Sequence, residues 1–267
     1  MTTLVHPTAV IDERARVAPD VRVGAYAVVE GPVVLGPGTV LMPHATILGH
    51  TELGEGNVVY PGAVLGADPQ DLKHRGETTR LLVGDRNRFR EHVTVHLGTV
   101  PGGGVTRVGS DGLFMAGSHI AHDCEVGDRV ILANQVLLAG HVRVAEGAIL
   151  NGACALHHFT SVGRLAYVGG LSRITQDVHP FTIVEGHPAR VRGCNVVGLR
   201  RAGVPEEAVQ RVNRAIRSIF LSKSSTAALA IQALEAEHPE DPLIGEVLAS
   251  IRASGGGRHG RAREALR

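Results

Sequence analysis

One short segment holds several side chains that can do chemistry. The segment HIAHDCEVG, residues 119–127, places His119, His122, Asp123 and Cys124 within six positions. Such a group could ligate a metal ion, could pair a thiol nucleophile with a base, or could act as a general base toward a substrate hydroxyl. The residue types alone do not choose among these, so the elements that position them must be predicted first.

Composition excludes several classes of protein. In 267 residues, 27 lysines and arginines balance 26 aspartates and glutamates, so the charge indicates neither a nucleic-acid partner nor a membrane surface. No run approaches the ~18 apolar residues of a membrane span, and the start MTTLVHPTAV lacks the regions of a signal peptide, so we expect no stable membrane insertion. The three cysteines are widely spaced and odd in number, which favours a reduced, cytoplasmic protein.

The strongest pattern in the chain is a six-residue repeat. An aliphatic or aromatic residue recurs at every sixth position over residues 5–65, 83–95 and 108–174, and a small or branched residue usually follows it four positions later. Neither the helical period of 3.6 nor the strand period of 2 produces this spacing. Hexapeptide repeats are typical of a parallel β-helix, in which three hexads make one triangular coil.

The pattern resembles the left-handed parallel β-helix of hexapeptide acyltransferases. We therefore predict a mainly β fold over residues 1–190, with loop insertions at 66–82 and 101–107 where the repeat is interrupted. Apolar residues at helical spacing then predict a small C-terminal α-helical bundle over residues 191–255. The glycine-rich, arginine-rich stretch 256–267 is expected to be a flexible basic tail.

The coil converts separated positions into columns. Residues 18 apart should lie one above another, about 4.8 Å apart per coil. One column holds His122, Gly140 and His158, and the neighbouring column holds Asp123, His141 and Phe159. None of these is an inward position of its hexad, so their side chains should leave the prism.

This placement favours a general base over the other two kinds of site. Cys124 falls on the small fourth position of its hexad, where a buried packing residue is expected, and burial raises the pKa of a thiol and removes its nucleophilicity. No third ligand at a familiar spacing accompanies His119 and His122, so no metal is predicted. A neutral His122 can take a proton from an alcohol, Asp123 can orient its ring, and the Gly140 backbone N–H can stabilise an oxyanion.

The convex face of a prism offers no pocket of its own. A loop or a second subunit has to supply the missing wall, because ligand sites are concave. The first insertion, with Gln70, Asp71 and Lys73, can supply one wall. The three-sided shape further predicts a homotrimer with its sites between subunits.

Longer motifs extend the resemblance to one family. The stretches QDLKHRGETTRLLVGDRNRFREHVTVHLGT, GSHIAHDC, LANQVLLAGHV and NVVGLRRAG resemble UDP-N-acetylglucosamine O-acyltransferases, over nearly the whole chain. Members of that family move a 3-hydroxyacyl group from acyl carrier protein to the 3-hydroxyl of UDP-N-acetylglucosamine, the first step of lipid A biosynthesis. The resemblance implies no cofactor, since acyl-phosphopantetheine arrives on the carrier as substrate.

The resemblance also implies roles for individual residues. His122 is the expected general base, Asp123 assists it, and the backbone of Gly140 stabilises the thioester oxyanion. The residues expected to hold the acceptor sugar or the acyl-phosphopantetheine are Gln70, Asp71, Lys73, His119 and His141.

Three further positions match more distant parts of the substrates. Asn195 and Arg201 match residues around the nucleotide and its phosphates. Gly170 matches the place where a bulkier residue shortens the acyl tunnel, which implies a long acyl chain.

Two positions depart from the family pattern. His158 stands where the family has glutamine, at a position expected to bind substrate, and Val197 stands where it has an acidic residue near the UDP moiety. Transfer to the 3-amino analogue of the sugar therefore stays open, as do a zinc-dependent γ-type carbonic anhydrase and a non-catalytic scaffold. The N-acyltransferase of the same pathway is disfavoured, because it carries a separate N-terminal domain whereas hexads begin here at Val5.

Acyl carrier protein is acidic and needs a basic docking surface. Residues 190–223 hold eight basic side chains against two glutamates. The basic residues are Arg190, Arg192, Arg200, Arg201, Arg211, Arg214, Arg217 and Lys223. We expect the carrier to dock on this segment.

Overall fold

Short parallel strands wind into three sheets that form the sides of a triangular prism. The computed structural model describes residues 4–222 and 224–266. Within them the strands form a left-handed parallel β-helix followed by a helical region, so the predicted fold class is confirmed. Each regular coil contributes one strand to each sheet, and the connections form three corners.

We number the sheets I to III in the order in which the chain visits them. Sheet I comprises Leu4–Val5, Arg22–Val23, Val40–Leu41, Val58–Val59, Arg88–Phe89, Leu113–Phe114, Ile131–Leu132, Ile149–Leu150, Tyr167–Val168, Thr182–Gly186 and Ala189–Cys194. Sheet II comprises Val10–Ile11, Val28–Glu30, Thr46–Leu48, Val64–Ala67, Thr94–His96, His119–Ile120, Leu137–Leu138, Ala155–Leu156 and Arg173–Ile174. Sheet III comprises Arg16–Val17, Val34–Leu35, His50–Leu53, Arg80–Val83, Val105–Val108, Glu125–Val126, Arg143–Val144 and Ser161–Val162.

Ladder hydrogen bonds keep residues one coil apart in register. Ile120 in sheet II pairs with Leu138, and Leu138 pairs with Leu156, which confirms the 18-residue coil. All three side chains point into the prism and are at most 3% exposed. Because each hexad sends one apolar residue inward, the core is narrow and consists mainly of aliphatic side chains. Burying one such side chain contributes about 1.5–3 kcal/mol relative to leaving it exposed.

The first insertion leaves the prism at the corner between sheets II and III, which we call corner II–III. The strand before it continues to Ala67 and the strand after it begins at Arg80. The irregular stretch is therefore 68–79, shorter than the predicted 66–82. The predicted loop is too long because the flanking residues lose the hexad spacing while their backbone still pairs with neighbouring coils.

The second insertion leaves from the same corner one coil later. It runs over residues 97–104 and includes the short 3₁₀ helix Val100–Gly102. It therefore begins four residues and ends three residues earlier than the predicted insertion 101–107, because residues 105–107 already pair with the preceding coil. The next coil turns at corner II–III through residues 121–124 without an insertion. Both loops therefore emerge beside the corner that carries the histidine–aspartate motif.

A second core lies beyond the last coil. The antiparallel strands 182–186 and 189–194 lead into four helices, α1 (Val196–Arg201), α2 (Glu206–Phe220), α3 (Ala227–Glu237) and α4 (Pro242–Gly256). Their apolar faces pack together with Phe181 at the end of the prism. In the part of the chain that the structure describes, none of these helices combines the length and the apolar character needed to cross a membrane.

The C-terminal residues differ from the flexible tail predicted for 256–267. Arg261 is only 6% exposed, and its Nη1 donates to the Thr175 carbonyl at 2.6 Å. The Ala262 N–H donates to the Asp177 carboxylate at 2.8 Å. Glycines and charges suggested a solvated segment, whereas partners some 85 positions earlier anchor it to the last coils of the prism.

The chain then continues along sheet III. Residues Ala262–Leu266 form a 3₁₀ segment, and Arg263 Nη2 donates to Glu125 Oε1 at 2.8 Å. Arg267, the last residue of the predicted tail, lies outside the described residues.

Buried asparagines connect consecutive coils through hydrogen bonds at the corner between sheets III and I. Asn57 Nδ2 donates to the carbonyls of Gly54 and Gly84, each at 2.9 Å. Asn57 Oδ1 accepts from the backbone N–H and the side-chain amide of Asn87 at 3.0 and 3.1 Å. Both asparagines are fully buried. Their side chains form the hydrogen bonds that water would otherwise make to backbone groups left unpaired by the turns.

Replacing Asn57 by alanine should lower the free energy of unfolding by about 3 kcal/mol, because several buried backbone groups lose their partners at once. Thr39→Val is the matched control one coil earlier. Thr39 donates a single hydrogen bond, to Gly54 O at 3.1 Å, and its loss should cost only about 1 kcal/mol. Urea unfolding at fixed protein concentration measures both, and equal losses would contradict a cooperative role for the asparagines.

Candidate active site

A histidine–aspartate pair lies at corner II–III. His122 and Asp123 follow the strand 119–120, and the left-handed backbone of Asp123 (φ 61°) turns the chain toward sheet III. His122 Nδ1 and Asp123 Oδ2 are 2.7 Å apart. The two residues are 7% and 3% exposed, so this hydrogen bond is shielded from bulk water.

The second insertion fixes the Asp123 carboxylate. The Thr99 N–H donates to Asp123 Oδ1 at 2.7 Å, and Thr99 Oγ1 donates to Oδ2 at 2.6 Å. A Cβ at Gly102 would lie 2.1 Å from the carboxyl carbon of Asp123, so only glycine fits there. Burial opposes ionisation, but the hydrogen bonds from His122 and Thr99 outweigh it and hold the pKa of Asp123 below its ordinary value. Asp123 is therefore a carboxylate at neutral pH.

This carboxylate decides which nitrogen of His122 is free. An ionised Asp123 only accepts hydrogen bonds, so the neutral imidazole carries its proton on Nδ1 and leaves Nε2 as the proton acceptor. A Cβ at Gly140 would lie 2.5 Å from His122 Cε1 and 2.7 Å from Nε2, so the ring occupies space that only glycine leaves open. Among the described residues the Gly140 N–H has no acceptor, whereas its carbonyl accepts from Phe159 N–H. A base and an unused amide donor thus lie side by side.

His141 adds a second imidazole above the pair. Its ring stacks on Phe159 with centroids 4.4 Å apart and meets the His122 ring edge-on at 5.2 Å. Its Nε2 lies 3.7 Å from Asp123 Oδ2. Burial lowers the pKa of His141, although Asp123 partly opposes this, so the ring is neutral at pH 7.

A pocket of about 800 Å³ opens beside the pair. The first insertion forms one wall, the corner forms the floor, and the C-terminal segment forms part of the rim. Six predicted residues line it, namely Gln70, Asp71, Lys73, His122, His141 and His158. The hydrogen bond from the Lys73 N–H to Asp71 Oδ1 lowers the pKa of Asp71, so this wall presents a carboxylate beside the Lys73 side chain.

Asp123 and Gly140 adjoin the His122 ring, and the other four predicted residues lie outside this pocket. His119 is on the outer face of sheet II, where its Nδ1 lies 2.7 Å from Thr94 Oγ1. Gly170 lies at the corner between sheets I and II, and the exposed Arg201 ends α1. Asn195 caps α1, since its Oδ1 accepts from Gly198 N–H at 2.9 Å and its Nδ2 donates to Leu165 O at 2.8 Å.

Among the pocket residues that were not singled out from the sequence, three bear on its chemistry. Thr99 holds the Asp123 carboxylate, His157 lines the pocket beside His158, and Arg263 reaches it from the C-terminus. His157 could have been found, because it directly precedes a position in the predicted column. Thr99 and Arg263 sit in loops without periodicity, so nothing local marks them.

The pair could also be considered as part of a metal centre. One ligand atom each from His122, Asp123 and His141 lie within 4.8 Å of one another. However, both Asp123 oxygens already accept hydrogen bonds from Thr99, and His122 Nδ1 is at hydrogen-bond distance from Oδ2. This donor set fits a proton-transfer pair better than a zinc site, whose ligands bind the ion directly at about 2.0–2.3 Å.

The cysteines take no part in the site. Cys124 is fully buried, and burial raises the pKa of its thiol to about 12. Burial has the same effect on Cys154 and Cys194. The prediction that Cys124 is a buried packing residue is confirmed.

Comparison with known proteins defines the class first. A family profile described as bacterial transferase hexapeptide (six repeats) matches residues 32–67. This match agrees with the hexads that build the prism and points to the class of hexapeptide-repeat transferases. A second profile, described as UDP N-acetylglucosamine O-acyltransferase, domain 2, matches residues 177–260.

Individual relatives narrow the class to one family. The acyl-[acyl-carrier-protein]–UDP-N-acetylglucosamine O-acyltransferase of Anaeromyxobacter dehalogenans is 52% identical over 239 residues, which cover 88% of this chain and 93% of the relative. The Agrobacterium fabrum protein of the same name is 41% identical over 234 residues, 81% of this chain and 80% of its own. A crystal structure of the UDP-N-acetylglucosamine acyltransferase from Bacteroides fragilis matches with a TM-score of 0.89 at 34% identity, covering 93% of this chain and 97% of that one. The chain belongs to the UDP-N-acetylglucosamine O-acyltransferase family.

Behind the site, His96 makes stability depend on pH. It is 5% exposed, packs edge-on against His119 at 5.0 Å, and its Nδ1 has no partner among the described residues. Burial, and then the nearby His119 and His122, lowers the pKa of His96 to about 4.

In the unfolded chain the His96 imidazole becomes protonated at pH ~6.5, whereas in the folded chain it becomes protonated only at about pH 4. The free energy of unfolding should therefore fall as the pH is lowered between these values. His96→Leu removes this contribution. The free energy of unfolding, measured with urea at several values from pH 7 to pH 4, should therefore depend less steeply on pH in the variant than in the wild type. Parallel slopes would contradict a neutral buried His96.

Proposed function

We propose that this chain transfers a 3-hydroxyacyl group from acyl carrier protein to the 3-hydroxyl of UDP-N-acetylglucosamine, the first step of lipid A biosynthesis in the cytoplasm. The observation that carries the proposal is the buried His122–Asp123 pair, whose free Nε2 lies beside the amide of Gly140. The names of the relatives supply the donor and the acceptor. No cofactor is required, because a thioester is already activated for acyl transfer.

Each group at the corner has a defined task in this reaction. His122 Nε2 removes the proton of the sugar hydroxyl as its oxygen attacks the thioester carbonyl. The Asp123 carboxylate stabilises the imidazolium that forms, and the Gly140 N–H donates to the developing oxyanion. When the tetrahedral intermediate collapses, the C–S bond breaks and the imidazolium returns its proton to the phosphopantetheine sulfur.

The outer faces of the prism support a trimer with sites between subunits. Apart from the charged exceptions Arg22 and Arg88, most outward side chains of sheet I are apolar, namely Val40, Val58, Leu113, Ile131, Ile149 and Tyr167, all half-buried in the single chain. Sheet II continues this with Val28, Val64 and Leu137, the last 48% exposed. Sheet III instead carries charges such as Glu125 and Arg143. Packing sheet I of one subunit on sheet II of the next buries both apolar faces and closes into a ring.

A shared site would also account for predicted residues that lie away from their own pocket. Corner II–III borders sheet II, so a neighbour packed on sheet II approaches the pocket from the open side. Arg201 on α1 is exposed and would contribute to the nucleotide site of that neighbour. Gly170 would adjoin the acyl tunnel between subunits.

The exposed arginines after residue 190 support docking of an acidic carrier. Arg200 pairs with Glu206 and Arg211 pairs with Asp241. The exposed basic side chains without an ion pair among the described residues are Arg190, Arg192, Arg201, Arg214 and Arg217. Lys223, also predicted to belong to this surface, lies outside the described residues.

His122→Ala should lower the acyl-transfer rate by about 10²–10⁴-fold, the usual contribution of a general base. His44→Ala is the matched control, because His44 is an exposed histidine at another corner with a similar left-handed backbone (φ 62°). It should keep the wild-type rate. A folded His122→Ala protein with near-normal turnover would contradict the assignment.

The same assay fixes the substrates. Mass spectrometry of products formed from mixed acyl carriers, with UDP-N-acetylglucosamine and its 3-amino analogue both present, identifies acyl length and acceptor together. An ester on the 3-hydroxyl is expected. An amide would instead point to the change at Val197, which is 56% exposed on α1.

Subunit sharing predicts complementation. Trimers assembled from equal amounts of His122→Ala and Arg201→Ala chains should recover activity in about a quarter of their sites, because a ring places intact halves of both kinds together. Each variant alone should be impaired, Arg201→Ala through a raised KM for the UDP-sugar. Activity no greater than the average of the two separate variants would contradict a site built from two subunits.

A further inference from the structure

The C-terminal segment 257–266, which we call the arm, reaches the candidate active site. The Asp177 N–H and Ser254 Oγ both donate to the Gly260 carbonyl, at 2.8 and 3.0 Å. Together with the contacts of Arg261 and Ala262, these hydrogen bonds fix the arm to the end of the prism before it reaches the pocket. The profile that matches the C-terminal domain ends at residue 260, so most of this contact lies beyond it.

Arg263 carries the arm's positive charge into the pocket. Its Nη2 donates to Glu125 Oε1 at 2.8 Å, and the other oxygen of Glu125 lies 3.7 Å from Arg143 Nε. Among the described residues the remaining N–H groups of Arg263 have no acceptor, although its side chain is only 23% exposed. The neighbouring Glu264 is neutralised by Arg261, which donates to its carboxylate through Nε and Nη2.

The arm has anchors besides Arg263. Arg261, Ala262 and Gly260 already hold it upstream through hydrogen bonds. A half-buried guanidinium with unused donors, in the lining of the same pocket as Lys73, is suited to bind an anion.

We propose that the arm completes the acyl-transfer site and that Arg263 binds a phosphate group of a substrate. This inference rests on the proposed function, which supplies two such groups, the diphosphate of the nucleotide sugar and the phosphodiester of the phosphopantetheine arm. Either would accept two parallel N–H bonds from the guanidinium. In both cases the guanidinium of Arg263 recognises a phosphate group at the rim of the pocket. The residue that does so lies on the arm and not on the hexapeptide scaffold.

The test is Arg263→Gln, which keeps much of the side-chain volume and removes the charge. The KM for one substrate should rise about tenfold to a hundredfold with little change in kcat, because a charge-assisted hydrogen bond to bound substrate is lost. A rise confined to the UDP-sugar assigns the diphosphate, and a rise confined to the acyl carrier assigns the phosphopantetheine. Arg143→Gln is the matched control, since it removes the other arginine from Glu125 without lining the pocket.

Calorimetry separates a binding role from a structural one. Arg263→Gln should weaken binding of UDP or of phosphopantetheine but leave the affinities for uridine and pantetheine unchanged, and Arg263→Lys should restore part of the loss. Unchanged KM values, or equal weakening with and without the phosphate, would overturn the inference. If the wild type transfers no acyl group, the proposed function fails, whereas the calorimetric comparison still decides what Arg263 binds.

Discussion

The ladder of parallel strands constrains everything else in this molecule. Each regular coil hydrogen-bonds to the next in strict register, so residues 18 apart are held one above another. That spacing places Gly140 against the His122 ring and His141 over Asp123. The site therefore inherits its geometry from the scaffold, and the rigidity of the stacked coils keeps a base and an amide donor in fixed relation.

The prism alone would nevertheless leave this pair on a bare convex surface. Two consecutive insertions at the same corner change this, because one supplies the wall with Asp71 and Lys73 and the other supplies Thr99. Thr99 also acts on the protonation state, since its two hydrogen bonds, together with that from His122, keep Asp123 ionised despite burial. The ionised carboxylate then fixes the imidazole tautomer. The scaffold thus sets the positions of His122 and Asp123, and the loops set their protonation states.

Much of this could be predicted from the sequence, because the informative signals were periodic. The hexads predicted the coil, the inward core and the columns through His122 and Asp123. The contacts that were missed join residues far apart without any periodic relation, such as Thr99 with Asp123 and Arg263 with Glu125. The arm was wrongly predicted to be flexible for the same reason. Its glycines and arginines have the composition of a solvated tail, and only the fold places Asp177 and Thr175 within reach.

The location of both loops at one corner has a bearing on how such proteins diverge. An extra residue inside any hexad would rotate every later inward side chain out of the core, whereas an extra residue in these loops leaves the downstream register intact. Insertions and deletions are thereby tolerated at corner II–III, where they change the shape of the pocket. Relatives can therefore differ in loop length at this corner and acquire new ligand preferences, while the prism of stacked coils stays unaltered.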